Sequence, residues 1–173
     1  MRRCIALLVF MVGAFLVVPA TAASAFSIDG PGPYRIINQK SGQCLNQDYS
    51  GGTAHPTVLA WPCTSTLALN EKWWLRPGPV SGYYQVENAA SHQCLNQDFS
   101  GNVEHDNVIA YACSNEYYNG LWTRSPVGLD DRLLNGATRK CLNQNYSGGA
   151  PHHDILAYAC VNATNNNWIF QKV

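Results

Sequence analysis

Charge is scarce in this 173-residue chain: Asp, Glu, Lys and Arg make up 13% of it and cancel to a formal net charge of +0. A chain without a basic excess or a Lys/Arg cluster lacks the electrostatic footprint of a nucleic-acid binder or of a protein held on an anionic membrane surface. Long apolar runs are lacking too, with one exception. Ile5 to Val18 is continuously apolar, follows Arg2 and Arg3, and precedes the small-residue step Ala23-Ser24-Ala25. That is the pattern of a secretory signal peptide, too short and wrongly flanked for a membrane anchor. It is expected to span residues 1–25, with the mature chain starting near Phe26 in a secreted, extracellular setting and with no membrane insertion. Helical periodicity is absent from the remainder. There is no HExxH, no GxSxG and no visible pair of catalytic carboxylates, so no enzyme is expected. No cysteine pair stands at close chelating spacing, so no metal or other cofactor is expected.

What is present is repetition. Cys-Leu-Asn-Gln occurs at Cys44, Cys94 and Cys141, so its copies start 50 and 47 residues apart. Each first cysteine is followed nineteen positions later by a second: Cys63, Cys113 and Cys160. A period in this range marks one supersecondary unit copied along the chain, the copies sharing a core. The units run over about 34–77, 82–126 and 130–173, within one domain covering 26–173. Pro/Gly breakers separate them at Arg76-Pro77-Gly78-Pro79 and Ser125-Pro126-Val127-Gly128. Cys4 falls in the leader. The six remaining cysteines of an exported chain read as three disulfides. Repeat symmetry selects Cys44–Cys63, Cys94–Cys113 and Cys141–Cys160 from the fifteen possible pairings, each worth about 3 kcal/mol on the chain-entropy estimate.

Strand signals recur in step. Tyr34-Arg35-Ile36-Ile37, Tyr83-Tyr84-Gln85-Val86 and Arg132-Leu133-Leu134 open the units. Cys-Leu-Asn forms a second short strand. Val58-Leu59-Ala60-Trp61, Val108-Ile109-Ala110-Tyr111 and Ile155-Leu156-Ala157-Tyr158 form a third, and an Asn-x-x-Trp segment forms a fourth. Gly/Ser/Asn turns divide them, which predicts an all-β, barrel-like body of four-stranded repeats. Aligning the copies predicts the core: Ile36, Val86 and Leu133; Leu45, Leu95 and Leu142; Val58, Val108 and Ile155; Trp73, Trp122 and Trp168.

Three steps now stand in register: Cys-Leu, an apolar strand ending aromatic-x-Cys (Trp61-Pro62-Cys63, Tyr111-Ala112-Cys113, Tyr158-Ala159-Cys160), and Asn70-Glu71-Lys72-Trp73, Asn119-Gly120-Leu121-Trp122, Asn165-Asn166-Asn167-Trp168. On these residues the chain resembles the ricin-B type β-trefoil lectin domain over essentially all of its mature length. The resemblance implies a β-trefoil and up to three sugar sites. An aromatic face packs on the apolar side of a pyranose ring while amides and carboxylates take its hydroxyls. The positions it implicates are Asn46, Trp61 and Asn70 in the first unit, Asn96, Tyr111 and Asn119 in the second, and Asn143, Tyr158 and Asn165 in the third.

This chain departs from the family pattern. Asn46, Asn96 and Asn143 stand where the family has Asp; Leu59, Ile109 and Leu156 stand where it often has Gln; Glu71, Gly120 and Asn166 replace the Gln of its Gln-x-Trp step. A rebuilt site has parts at hand. Asp48 and Asp98 lie two residues past the altered Asn, on the same strand face. His55, His105 and His152 recur eleven residues after each first cysteine, and Tyr49, Phe99 and Tyr146 recur as well. The other reading of Asp48, Asp98 and the histidines is that they hold turns by hydrogen bonds. The expectation is a secreted, non-catalytic lectin whose partner is a polysaccharide or glycoconjugate, acting by avidity. The alternative is a protein-interaction trefoil, a toxin-partner subunit or inhibitor that has lost sugar binding. It would show an asymmetric apolar patch on one lobe, with the loops Thr64–Asn70 and Ser114–Asn119 the places to look.

Overall fold

The computed structural model describes residues 32–173; the signal peptide expected over residues 1–25 and the mature start expected near Phe26 lie outside the described residues. The first repeat contributes β1 (Tyr34–Asn38), β2 (Cys44–Gln47), β3 (Val58–Trp61) and β4 (Lys72–Pro77). The second contributes β5 (Tyr83–Asn88), β6 (Cys94–Gln97), β7 (Val108–Tyr111) and β8 (Trp122–Val127). The third contributes β9 (Asp130–Asn135), β10 (Cys141–Gln144), β11 (Ile155–Tyr158) and β12 (Trp168–Lys172). Among the described residues the only helical pieces are single 3₁₀ turns. The third unit's opening strand begins two residues before the Arg132-Leu133-Leu134 signal, because Asp130 and Asp131 extend its ladder with β8.

The strands close on themselves. The first and last strands of each repeat pair in the cycle β1–β4–β5–β8–β9–β12–β1, a ring with no free edge. Closure removes the unpaired row of backbone groups that an open sheet offers to other chains. The hairpins β2–β3, β6–β7 and β10–β11 cap one end. Each hairpin touches the other two through the bridges Thr57↔Ile109, Asn107↔Leu156 and Leu59↔Asp154. This is a β-trefoil of three pseudo-symmetric four-stranded repeats.

Alternation explains which residues fill it. Strand β1 is buried at every second position, which leaves Ile36 inside and Arg35 and Ile37 half-buried. All twelve aligned core residues are buried, none exposing more than 3% of its surface. The three tryptophans are fully enclosed, and a buried indole needs a partner for its N–H. Each finds the same one: Trp73 Nε1 donates to Leu45 O (2.8 Å), Trp122 Nε1 to Leu95 O (2.8 Å) and Trp168 Nε1 to Leu142 O (2.9 Å). The fourth strand of each repeat is thereby pinned to its second.

The disulfides form as the repeat symmetry predicts: Cys44–Cys63, Cys94–Cys113 and Cys141–Cys160, with Cα–Cα distances of 5.1, 4.9 and 5.1 Å. Each staples the start of the second strand to the chain just beyond the third.

The last residue of the Cys-Leu-Asn-Gln step has a role of its own. Gln47, Gln97 and Gln144 are fully buried. Gln47 Oε1 accepts from Ser91 Oγ, Gln97 Oε1 from Thr138 Oγ1 and Gln144 Oε1 from Ser41 Oγ. Each glutamine therefore reaches from its own repeat into the next, and the third reaches back to the first. Each Nε2 also donates to a backbone carbonyl in its own hairpin, at His55, His105 and His152. A second buried set, Asn38, Asn88 and Asn135, donates across the opposite seams to the carbonyls of Asn165, Asn70 and Asn119.

Candidate functional site

The outer face of each repeat gathers the end of the second strand, the aromatic that ends the third, and the Asn before the fourth. In the first repeat Asn46 sits beside Cys44, which lies opposite Trp61 in the hairpin ladder. Asn70 comes from the 3₁₀ turn that follows, its carbonyl held by Asn88 of the next repeat. Asn70 Nδ2 donates to Gln47 O (3.0 Å) and lies 3.4 Å from Asn46 Oδ1. In the third repeat Asn165 Nδ2 bonds Asn143 Oδ1 (3.2 Å) and Gln144 O (3.1 Å). In the second, Asn119 Nδ2 donates to Gln97 O (2.9 Å).

The Asn that replaces the family's Asp is nearly enclosed, at 4–6% exposure in the three copies. Its amide donates to the carbonyl two residues back: Asn46 to Cys44 O (3.1 Å), Asn96 to Cys94 O (2.9 Å), Asn143 to Cys141 O (3.0 Å). An ionised carboxylate has no proton for that bond and would face a carbonyl oxygen. The local backbone thus favours an amide here in all three copies.

The aromatics are presented outward. Trp61, Tyr111 and Tyr158 are 50%, 63% and 54% exposed although each ends a strand whose alternate residues are buried. Trp61 is braced from another repeat: the His153 ring packs on it with centroids 4.5 Å apart. His153 Nδ1 lies 2.8 Å from Ala60 O, which fixes the imidazole at the platform's side.

Asp48, Asp98 and Asn145 organise the turn that follows. Their Oδ1 atoms accept the backbone N–H of Ser50, Ser100 and Ser147 at 2.8, 2.8 and 2.9 Å. The histidines close the same turn from its other side, His55, His105 and His152 placing Nε2 at 3.0, 3.3 and 2.8 Å from the Ser50, Ser100 and Ser147 carbonyls. Gly51, Gly101 and Gly148 take positive φ within it, where a side chain would strain the backbone.

These parts enclose two clefts of different size. One, of about 360 Å³, is lined by Asn46, Asp48, Tyr49, Leu59, Trp61 and Asn70. The other, of about 540 Å³, is lined among others by Asn96, Asp98, Phe99, Tyr111, Tyr117 and Asn119. The structure therefore brings together the candidates of the first and of the second repeat, while His55 and His105 stand behind the turn and line neither cleft. Leu59 and Ile109, which replace the family's Gln, form part of the cleft walls. Tyr117 was not singled out by the repeat pattern, because its loop differs in length and sequence from the corresponding segments of the other copies. Among the described residues no group of three or more His, Cys, Asp or Glu is placed to hold a metal ion.

The Gln-x-Trp position does not face a cleft. Glu71 is fully buried, pairs with Arg35, and accepts from Thr64 N (3.0 Å) and Thr64 Oγ1 (2.9 Å). It ties the Thr64–Asn70 loop to the barrel. Asn166 does the same in the third repeat by donating to Val161 O (2.8 Å). In the second repeat, Gly120 stands here, and a Cβ would come within 2.5 Å of Asn96 Oδ1.

A family profile described as ricin-type beta-trefoil lectin domain-like matches residues 22–111 and again 69–158. The chain belongs to this ricin-type family. The two overlapping matches, each spanning two repeats, reflect the internal triplication. None of the curated proteins matches the chain in sequence. Among solved structures, the ricin-type chain is similar to ThreeFoil, a designed 3-fold symmetric protein, with a TM-score of 0.70, 20% identity, and coverage of 81% of this chain and 98% of that one. It is similar to SeviL, whose structure holds the asialo-GM1 saccharide, with a TM-score of 0.62, 19% identity, and coverage of 83% and 98%. It is also similar to a Polyporus squamosus lectin bound to Neu5Acα2-6Galβ1-4GlcNAc, with a TM-score of 0.66, 21% identity, and coverage of 84% of this chain and 50% of that one. At these identities the likeness establishes the fold.

Proposed function

We propose that this ricin-type trefoil is a secreted, non-catalytic carbohydrate-binding protein whose sites lie on separate lobes of one rigid body. The observation that carries the reading is the outward aromatic set beside a cleft lined by amides and a carboxylate: Trp61 with Asn46, Asp48 and Asn70, and Tyr111 with Asn96, Asp98 and Asn119. Such a cleft supplies an apolar face for a pyranose ring and polar atoms for its hydroxyls. Tyr158, Asn143 and Asn165 offer the same parts on the third lobe. The three disulfides suit an exported protein. The glycan-bound neighbours show that this fold carries saccharides elsewhere. One shallow site of this kind binds at roughly millimolar strength, and several on one body raise avidity by about 10²–10⁴ on a multivalent glycan surface.

The test is a glycan array and polysaccharide pull-down with wild type and the triple variant Trp61→Ala, Tyr111→Ala, Tyr158→Ala. Retention by wild type and loss in the variant support the reading. A folded wild type that retains no glycan overturns it.

A second reading has its own observation. Tyr117 and Tyr118 are exposed side by side in the Ser114–Asn119 loop of one lobe only, an asymmetric apolar feature of the kind a protein partner uses. Capture of a secreted protein by wild type, insensitive to competing saccharides and lost on changing these tyrosines, would favour that reading.

A further inference from the structure

The three lobes share a plan, but the second carries an added wall. Its Ser114–Asn119 loop is fastened at both ends. Gln85 Nε2 donates to Ser114 O (2.8 Å) and lies 3.1 Å from Asn115 Oδ1. At the far end Asn119 Nδ2 donates to Gln97 O, and Asn135 holds the Asn119 carbonyl. Between these anchors the Tyr118 ring meets Tyr83 edge-on, with centroids 6.2 Å apart. Tyr118 is thus braced against the barrel. Its neighbour Tyr117 is left lining the cleft together with Tyr111 and Phe99, and is 63% exposed.

The corresponding segment of the first repeat is held differently. The buried Glu71 carboxylate draws Thr64 to the barrel, and the loop residues Thr64–Leu69 do not line the cleft beside Trp61. Gly120 replaces Glu71 in the second repeat, so the carboxylate clamp is missing and the loop keeps only the tie from Gln85 to Ser114 O, the counterpart of that from Arg35 to Thr64 O. The outcome is the larger cleft, about 540 Å³ against about 360 Å³, with a second outward ring on its wall.

Resting on the carbohydrate reading, we propose that the second lobe is an extended site for linked sugars: one ring packs on Tyr111 and a neighbouring ring in the same oligosaccharide packs on Tyr117. The first lobe, lined by Trp61 and by Tyr49 in the place of Phe99 but with no counterpart of Tyr117, holds a single terminal sugar. The second lobe is therefore the selective one, and its ligand is a di- or longer saccharide rather than a free monosaccharide. An exposed ring held by braced neighbours loses little freedom on binding, so the contact favours ligand without first ordering a loop.

The experiment isolates the second lobe with the background Trp61→Ala, Tyr158→Ala. An array printed with galactose, N-acetylglucosamine and mannose, and with β-linked di- and trisaccharides ending in each, is read with and without Tyr117→Ala. The expected result is a disaccharide or trisaccharide bound at least about tenfold more tightly than its own terminal monosaccharide. Tyr117→Ala brings the oligosaccharide down to the strength of its own terminal monosaccharide, and Tyr117→Phe preserves the increment because it keeps the ring. Equal binding of the monosaccharide and its oligomers, or equal loss of both in Tyr117→Ala, overturns the extended site while leaving the lectin reading intact. Glycan binding by wild type that disappears in this background also overturns it. Absence of glycan binding by wild type overturns both readings, and a Tyr117-dependent protein partner captured under those conditions assigns the loop to protein recognition.

Discussion

The imidazole of His153 packs against the indole of Trp61 across a repeat boundary, with ring centroids 4.5 Å apart and planes inclined at 42°. The first lobe's platform is therefore held by the third lobe. The equivalent brace differs at each seam. The backbone N–H of Ala60 donates to His153 O, that of Ala110 to Pro56 O and that of Ala157 to Asp106 O. One backbone scheme thus places a different residue at each seam: His153, Pro56 and Asp106.

His153→Ala removes a ring pair worth about 1 kcal/mol and frees Trp61 to change rotamer. Glycan binding at the first lobe is expected to weaken about two- to tenfold, and the tryptophan emission maximum to shift to longer wavelength, with the fold retained. Titration of a Tyr111→Ala, Tyr158→Ala background reads the first lobe alone. Unchanged affinity and emission would show that the stack does not position the platform.

Gln144→Leu tests ring closure. Its amide accepts from Ser41 Oγ (2.6 Å) and donates to Gln43 Oε1 (2.6 Å) and His152 O (2.8 Å), joining the last repeat to the first. Leucine fits the volume but leaves those buried groups without partners, at about 1–3 kcal/mol for each fully enclosed one. The expected loss is about 3 kcal/mol, a fall in Tm of roughly 10 °C. Chemical denaturation of the variant checks it, and a loss below about 0.5 kcal/mol would show that water replaces the tie.

Asn96→Asp restores the family's residue and removes the bond to Cys94 O. It is expected to destabilise the protein by about 1–3 kcal/mol near neutral pH, because a nearly enclosed carboxylate then faces a carbonyl. Thermal melts across pH check the sign. Protonation restores a donor, so the deficit shrinks as pH falls through the introduced carboxyl's pKa. A variant as stable as wild type at neutral pH would mean that the amide's proton is not needed there.

Glu87 gives a pH dependence native to the protein. Burial pushes its carboxyl up, but hydrogen bonds from Arg76 and His92 outweigh burial and hold it below its ordinary value of 4.5. A carboxyl lowered by folding contributes stability that is present above its unfolded pKa and is lost as pH falls through the lower folded value. Wild type is therefore expected to exceed Glu87→Gln in stability at neutral pH, and the gap to close as the pH falls below 4.5 and through the lower folded value. Paired denaturation curves at several pH values read this directly; a gap that widens in acid would contradict it.

Reduction of the three disulfides removes about 3 kcal/mol of chain-entropy stabilisation for each bridge, together comparable to the whole stability of a domain this size. Near-ultraviolet circular dichroism is expected to collapse on reduction under mild denaturant, with buried Trp73, Trp122 and Trp168 becoming solvated. A reduced protein that keeps its near-ultraviolet signal would show that the closed barrel suffices.

The sequence by itself determined the elements that repeat. Nine of the twelve core side chains, the disulfide pairs and the outward aromatics each recur at a fixed offset from Cys44, Cys94 and Cys141, and Trp73, Trp122 and Trp168 follow at 29, 28 and 27 residues, so copies of one local pattern are enough to read them. The tertiary structure alone decided what passes between copies. Gln47 meets Ser91, Asn88 holds Asn70, and His153 braces Trp61, pairs set by how the lobes close around the axis rather than by spacing within one lobe. It also decided that Glu71 faces inward as a loop clamp and that its replacement by Gly120 accompanies a wider second cleft walled by Tyr117. A hydrogen bond or ring contact between residues distant in the chain carries no periodic signal. Its partners are chosen only when the barrel brings two seams together.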